Sequence, residues 1–186
     1  MNELDLLDWK RRIFALYAEV RASEPQQGWE RWRAVRAELF RDHPQSPSPG
    51  YTRLAYYDYD PALRFLATVE TAEEQAIEID GFPFRRFARA AFDLGVLDLY
   101  WLEAYGGGVF LPFADATSGN ETYGAGRYLL DTVKGSDLGS RDGRLVLDFN
   151  FAYNPSCSYD DAWACPLCPP ANRMAVFVRA GERLLL

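Results

Sequence analysis

A proline-rich segment divides this chain into two parts whose hydrophobic residues repeat with different periods. Residues 43–50 read His-Pro-Gln-Ser-Pro-Ser-Pro-Gly, and prolines spaced this closely end a helix and cannot lie in a central strand. Before the segment, apolar residues recur at helical spacing, which predicts an amphipathic helix over 3–22, with Asn2 as its N-cap, and a second over 27–42. After it the period is two, which predicts strands.

The part of the chain that follows the prolines has the pattern of an antiparallel sheet. Asp80-Gly81 is a tight hairpin signal and Asp93-Leu94-Gly95 is a second one. No helical pattern long enough for a parallel crossover lies between the strands. We predict a mainly β, α+β fold: an antiparallel β-barrel or strongly bent sheet with the two N-terminal helices packed on it. The alternating segments are 65–69, 77–79, 97–101, 108–113, 126–133, 144–151, 174–179 and 183–186.

Length and charge restrict the function. A chain of 186 residues predicts one domain, 1–186, with a helical part over 1–42 and a β-rich body over 51–186. The net charge is −7 and Lys and Arg do not cluster, so we expect neither nucleic acid nor an anionic membrane as a partner. The N-terminus lacks the features of a secretory signal, and no apolar run nears the roughly 18 residues of a membrane helix. We therefore predict an acidic cytoplasmic protein and leave its oligomeric state open.

Several classes of cofactor site cannot be built from these residues. His43 is the one histidine, which excludes three-histidine sites, two-histidine carboxylate triads and helical His-Glu-x-x-His sites within the chain. The P-loop pattern is missing, and Gly124-Ala125-Gly126 lacks the strand and helix context of a dinucleotide site. We predict no metal and no cofactor.

A glycine-rich stretch, 106–128, is the first candidate binding segment. Its six glycines permit close backbone approach, and exposed N–H groups beside Arg127 and Tyr123 suit a carboxylate or phosphate. The alternative is that the glycines make the bends of a small barrel, with Arg127 paired to an acidic neighbour.

The second candidate is the segment 145–154. Read as a strand, it points Asp148 and Asn150 the same way, about 7 Å apart, and Tyr153 and Asn154 follow at a turn that Pro155 stops. These groups suit a polar ligand. The alternative is a buried structural Asp148 held by an Arg or a Tyr.

Three cysteines, Cys157, Cys165 and Cys168, lie within twelve residues. Reduced thiols are the default expectation for a cytoplasmic chain. The alternatives are packed thiols or one local disulfide, a zinc site and redox chemistry. Zinc needs a fourth ligand that the chain supplies only as His43.

Several longer motifs occur along the chain in a fixed order. They are 43–47, Tyr57-x-Tyr59-Asp60-Pro61, Thr122-Tyr123-Gly124-x-Gly126-Arg127-Tyr128, Asp148-Phe149-Asn150-x-Ala152-Tyr153-Asn154-Pro155-x-Cys157, Cys165-Pro166, Pro169-Pro170-x-Asn172-Arg173 and Ala180-Gly181-Glu182. With these motifs the chain resembles an uncharacterised bacterial and archaeal family, domain of unknown function 1684, from roughly Trp29 to Arg183. The resemblance implies no established activity and no catalytic residue. Cys168, Ala171 and Arg183 depart from the family's usual residues, which weakens a metal site that depends on Cys168.

The leading functional hypothesis is a domain that binds a small polar or anionic molecule in a barrel-associated pocket. One alternative is an enzyme at the same pocket, with Asp148 as general base and Tyr153 or Asn150 as electrophilic support. Another is a scaffold that presents its helices to a partner protein. The predicted binding residues are Tyr123, Arg127, Asp148, Asn150, Tyr153 and Asn154.

Overall fold

The computed structural model describes residues 2–185, and it begins with two helices. Helix α1 spans Glu3–Arg21 and α2 spans Pro25–Asp42, which confirms both predicted helices. Asn2 is the N-cap of α1: its side chain accepts the Asp5 N–H at 2.9 Å, and the Asp5 side chain accepts the Asn2 N–H in return. Pro25 occupies the first turn of α2, where its missing N–H costs no helical hydrogen bond. Among residues 2–185 no helix is long and apolar enough to cross a bilayer.

Within residues 2–185, nine strands follow the helices. Seven of them form one antiparallel sheet in the order β6-β5-β4-β3-β2-β8-β7, curled into a half-barrel, and β1 pairs with β9 as a separate two-stranded ribbon. This confirms the predicted mainly β fold with N-terminal helices. The strands are β1 Ala55–Tyr56, β2 Arg64–Ile79, β3 Phe82–Phe92, β4 Gly95–Leu102, β5 Val109–Phe113, β6 Arg127–Asp131, β7 Ser140–Arg141, β8 Arg144–Asp148 and β9 Glu182–Arg183.

Two tight turns set the register of the longest strands. Asp80 and Gly81 join β2 to β3 with φ of 53° and 76°, the left-handed pair that matches the twist of a hairpin. The turn at 93–94 joins β3 to β4 as predicted. Pairing of Ile79 with Phe82 and of Phe92 with Gly95 follows directly from these turns.

Within residues 2–185 the core has three clusters. One face of the sheet buries a cluster that includes Leu97, Leu111, Phe113 and Leu147, and the opposite face, to which strand alternation turns Tyr100 and Phe110, buries a second cluster. The apolar stripes of α1 and α2 form a third cluster with Phe151, which includes Ile13, Leu16, Trp29, Trp32 and Leu39. Each buried side chain of this size stabilises the docking of its helix by roughly 2 to 3 kcal/mol.

The predicted strand 144–151 is too long. Strand β8 ends at Asp148, and Phe149–Phe151 forms a turn of 3₁₀ helix. The Asp148 carboxylate accepts the Asn150 N–H at 3.0 Å and so caps that turn. Asp148 and Asn150 consequently do not project from one strand face.

The predicted strand 174–179 is absent, although its apolar alternation is present. Met174 N–H bonds to Ala114 and the Val176 carbonyl accepts from Ala116, but the Val178 N–H donates to the Asp115 carboxylate at 2.8 Å. Because the Asp115 carboxylate, and not a backbone carbonyl, accepts the Val178 N–H, the backbone hydrogen bonds do not continue as a strand pair. Of the predicted strand 183–186, residue 183 belongs to β9, while Leu186 lies outside the described residues.

Candidate functional site

An apolar cavity of about 340 Å³, here called the outer pocket, lies against the face of the sheet that carries Phe110. Residues 6, 9 and 10 of α1 share one helical face and form one wall. Strands β3 to β6 form a second wall, and the loop 155–170 forms a third. Its apolar lining includes Leu6, Trp9, Pro47, Phe82, Phe84, Leu102, Phe110, Tyr128, Val133, Trp163, Ala164 and Pro166.

Three charged groups lie in this apolar wall: Lys10, Lys134 and Asp131. The chain has no other lysine. Lys134 Nζ is 3.6 Å from Asp131 Oδ2 and 5.7 Å from the Tyr128 ring centroid, while its side chain stays half exposed. Burial raises the pKa of Asp131, and the Lys134 cation opposes the shift. With Asp131 ionised, the two ammonium groups leave the pocket one net positive charge.

A smaller cavity of about 70 Å³, here called the inner chamber, adjoins the outer pocket. The two cavities share Trp9, Pro47, Lys134 and Ser156 as wall residues. The chamber differs from the pocket because much of its wall is polar. Its polar lining consists of Tyr17, Arg36, Lys134, Ser136, Tyr153, Asn154, Ser156 and Tyr159.

Buried charge beside the inner chamber is compensated within the fold. Arg36 Nη2 donates to Glu182 Oε2 at 2.9 Å, and Arg36 Nε donates to the Tyr56 hydroxyl at 3.2 Å. The Tyr159 hydroxyl donates to Glu182 Oε1, and the Asn154 backbone N–H donates to Glu182 Oε2 at 3.0 Å. The Asn154 side chain takes no part: its Oδ1 is buried and accepts no hydrogen bond within residues 2–185.

A disulfide closes the loop that forms the third wall of the pocket. Cys157 and Cys165 are bonded, so the default expectation of reduced thiols is wrong for this pair and the alternative of one local disulfide is correct. Cys168 is free and buried, and burial raises its pKa to about 12. In the described part of the chain, no three His, Cys, Asp or Glu side chains are grouped as metal ligands.

The same loop is tied to the sheet and to the proline segment by hydrogen bonds. The Trp163 indole N–H donates to the Pro47 carbonyl at 3.2 Å, and the Tyr128 hydroxyl donates to the Pro166 carbonyl at 2.8 Å. Trp163 and Pro166 are thereby fixed against the outer pocket although the loop has little regular structure.

Arg127, a predicted binding residue, lies in the core. Its guanidinium donates to Asp115 Oδ1 at 3.2 Å, to the Val178 carbonyl at 2.9 Å, and to the carbonyls of Ala180 and Glu182. Burial lowers its pKa, and the Asp115 carboxylate opposes the shift. Gly126, which precedes Arg127, has a φ of +96°, and a Cβ at this position would lie 2.5 Å from the Phe113 carbonyl oxygen. Only glycine therefore fits where the backbone approaches Phe113 this closely.

Asp148 and Asn150 form a second buried group, apart from the partners of Arg127. Asn150 Nδ2 donates to Asp148 Oδ1 and to the Asp60 carbonyl, both at 2.8 Å, while Asn150 Oδ1 accepts the Asp60 N–H. Asp148 Oδ2 is 3.4 Å from Arg64 Nε. Burial raises the pKa of Asp148 to about 6, although hydrogen bonds from Asn150 oppose the shift.

The six predicted binding residues therefore do not share one cavity. Tyr153 and Asn154 line the inner chamber, whereas Asp148, Asn150 and Arg127 line neither cavity. Tyr123 does not line them either; its hydroxyl is 3.9 Å from Cys157 Sγ. The cavity residues that sequence reasoning missed include Lys10, Asp131, Lys134, Trp9 and Trp163.

Comparison with known proteins places the chain in a family. It is similar to an uncharacterized protein from gene locus rrnAC0354 of Haloarcula marismortui, known from a solution NMR structure: identity is 34%, the TM-score is 0.58, and the match covers 85% of this chain and 95% of that one. No curated protein matches the chain. The family model described as Protein of unknown function (DUF1684) matches residues 49–183, which include the sheet and the disulfide loop but not α1. The chain is a member of the DUF1684 family.

Proposed function

We propose that the outer pocket binds a small amphipathic anion, a molecule with an apolar body and one carboxylate. The observation that carries the proposal is an apolar cavity of about 340 Å³ whose wall contains both lysines of the chain. Binding sites for small molecules are concave and mostly apolar, with a few polar groups that fix orientation. This wall has that composition.

The aromatic part of the wall indicates what body the ligand has. Phe84, Phe110 and Tyr128 belong to one packed aromatic cluster, with centroids of Phe84 and Phe110 5.3 Å apart. Trp9 and Trp163 face the same cavity from the other walls. Flat aromatic faces favour a ring that stacks or packs edge to face. A phenyl ring on a short acid fits the volume.

The charged side chains of the pocket wall fix the orientation of the ligand. Lys10 is half-buried and Lys134 is half exposed, so each ammonium keeps donors for a ligand carboxylate. Charge-assisted hydrogen bonds are about twice as strong as neutral ones. Asp131 offsets only one of the two cations, and the remaining charge favours an anion.

An enzyme that uses Asp148 as general base has less support. A raised pKa in a pocket is typical of catalytic acids and bases, and the pKa of Asp148 is raised. Asp148, however, lines neither cavity, and its Oδ1 already accepts two hydrogen bonds from Asn150. A substrate in either cavity has no contact with it. The scaffold alternative has less support too, because a cavity of about 340 Å³ lies between the helices and the sheet.

We further propose that Arg127, Asp148 and Asn150 serve the fold rather than bind the ligand, because most of their polar atoms are used by Asp115, Asp60 and backbone carbonyls. Arg127 Nε and Asp148 Oδ2 are buried without a hydrogen bond among the described residues, but neither residue lines the outer pocket. Cytoplasmic location also stays a proposal, and the Cys157–Cys165 disulfide argues against it, because a reducing compartment keeps such a pair as thiols. Counting thiols in protein quenched directly from cells tests it: free thiols at both positions support the cytoplasm, and a disulfide contradicts it.

Calorimetric titration of the full chain tests the binding proposal. We expect 3-phenylpropanoate to bind at least about tenfold more tightly than uncharged 3-phenylpropanamide, because only the acid pairs with the lysines. Lys134→Gln and Lys10→Gln should each reduce this preference. Arg11→Gln is the matched control: Arg11 is an exposed cation next to Lys10 that lines neither cavity. Equal binding of acid and amide, or no binding of either, contradicts the proposal.

A further inference from the structure

Asp131 places a carboxylate in the wall of the outer pocket. The residue lies opposite Phe110 across the pair formed by β5 and β6, and residues opposite each other in a sheet point to the same face. Phe110 and Asp131 both line the outer pocket. The Asp131 side chain therefore leaves the sheet on the face that the pocket covers.

The fold uses one oxygen of this carboxylate and leaves the other without a donor. Oδ1 accepts the Lys134 backbone N–H at 3.3 Å. Among the described residues Oδ2 accepts no hydrogen bond, and Lys134 Nζ lies 3.6 Å from it. The Asp131 side chain keeps 9% of its surface accessible, whereas Asp148 Oδ2, which also lacks a hydrogen bond, is sealed in the fold. Because buried acceptors are nearly always paired, this accessible oxygen indicates a donor that comes from outside the chain.

The position of Lys134 restricts the kind of donor. Lys134 Nζ and Asp131 Oδ2 are neighbours at 3.6 Å, so a ligand that meets both carries its carboxylate and its donor on adjacent carbon atoms. An ammonium group as donor would face the Lys134 cation and, from α1, the Lys10 cation, and like charges brought together weaken a complex. A hydroxyl group donates to the carboxylate without this repulsion.

We propose that the outer pocket selects 2-hydroxy acids with an aromatic body, and that Asp131 is the residue that determines this specificity. The inference rests on the proposed function, because the aromatic wall and the lysines hold the ring and the carboxylate. The ligand hydroxyl donates to Asp131 Oδ2. A site built to hydrogen-bond a hydroxyl rejects the analogue that lacks it, because the acceptor then stays unpaired.

Calorimetric titration of the full chain with the two enantiomers of 2-hydroxy-3-phenylpropanoate, with 3-phenylpropanoate and with phenylalanine tests the inference. We expect the tighter enantiomer to bind about tenfold more tightly than 3-phenylpropanoate, which corresponds to one hydrogen bond to a charged acceptor. Phenylalanine should bind more weakly than that enantiomer, because its ammonium group faces Lys134.

Asp131→Asn tests the role of the carboxylate. The variant keeps an oxygen for the Lys134 N–H but removes the negative charge that the ligand hydroxyl meets. Hydrogen bonds to neutral acceptors are about half as strong, so the preference for the hydroxy acid should fall from about tenfold to about threefold or less. The affinity for 3-phenylpropanoate should rise, because no carboxylate then offsets the two lysines.

Asp137→Asn is the matched control. Asp137 Oδ1 also accepts a nearby backbone N–H, that of Gly139 at 2.7 Å, and the residue lines neither cavity. This variant loses the same charge and should keep the tenfold preference.

Equal affinities of the wild type for the hydroxy acid and 3-phenylpropanoate, as expected if only water meets Asp131 Oδ2, overturn this inference while leaving the proposed function intact. A tenfold preference that survives in Asp131→Asn overturns it too, as does tighter binding of phenylalanine than of the hydroxy acid. The wild-type titrations decide the matter if Asp131→Asn does not fold. If no ligand binds, the proposed function fails and this inference fails with it.

Discussion

Replacing Arg127 by glutamine removes the cation at the centre of the most buried ion pair in the described chain, where both side chains are at most 1% exposed. The guanidinium donates to Asp115 Oδ1 at 3.2 Å and to the carbonyls of Val178, Ala180 and Glu182. The Val178 and Ala180 carbonyls belong to the irregular segment that precedes β9, and the Glu182 carbonyl belongs to β9 itself. Arg127 therefore fastens that segment to β6.

The expected loss in the free energy of unfolding follows from the groups that lose a partner when glutamine replaces Arg127. The Asp115 carboxylate keeps its hydrogen bonds from the Thr117 hydroxyl and the Val178 N–H, but it loses its counter-charge in a water-excluded site. Breaking a buried pair by removing one partner costs about 3–5 kcal/mol. Because domains of this kind are stable by only about 5–15 kcal/mol, we expect Arg127→Gln to lose about a fifth or more of the free energy of unfolding.

Urea unfolding followed by tryptophan fluorescence measures this loss. Arg179→Gln is the matched control, because Arg179 donates to Glu121 through two nitrogens at 2.8 Å but is 57% exposed. Exposed ion pairs contribute about 0–1 kcal/mol, so the control should unfold near the wild-type midpoint. A loss below about 1 kcal/mol for Arg127→Gln refutes the structural role of Arg127 and favours a solvated binding residue.

Two further predictions concern stability. Asp148→Asn should stabilise the protein above pH 6 and not below pH 4. The pKa of Asp148 is about 6 in the folded protein against an ordinary value of 3.8, so ionisation in the folded state costs about 2–3 kcal/mol. This cost appears as pH rises through the window between the two values, and asparagine does not incur it. Urea midpoints at pH 4 and pH 7 that shift equally between variant and wild type contradict this. Replacing Cys157 and Cys165 together by serine should cost about 2.5 kcal/mol, the loop-closure entropy for a separation of 8 residues, and a reductant should lower the wild-type melting temperature to that of the variant while leaving the variant unchanged.

The local features of the fold could be predicted from sequence. The capping box at Asn2, the proline segment and the turn at Asp80-Gly81 are short-range signals whose physical cause lies within a few residues. The strand predictions 144–151 and 174–179 were wrong because side chains take backbone hydrogen bonds that a strand needs. Asp148 caps a 3₁₀ turn where alternation predicts strand, and the Asp115 carboxylate takes a backbone N–H that a strand at 174–179 needs.

The cavity could not be predicted in the same way, because its residues are distant in sequence. Lys10 and Lys134 are brought together by helix docking, which no spacing rule encodes. One signal was available: among twenty basic residues only these two are lysines. The predicted site contained Tyr153 and Asn154, which do line a cavity, but Arg127 and Asp148 are polar groups that the core buries with partners.

The proposed outer pocket is tested most directly by following the indole N–H signals of the five tryptophans in two-dimensional NMR spectra during titration with 3-phenylpropanoate. Trp9 and Trp163 line the outer pocket, whereas Trp29 and Trp101 line neither that pocket nor the inner chamber. If the ligand binds in the outer pocket, the Trp9 and Trp163 signals shift and saturate, and the Trp29 and Trp101 signals do not move. No saturable shift, or shifts of Trp29 and Trp101 without Trp9 and Trp163, would contradict it.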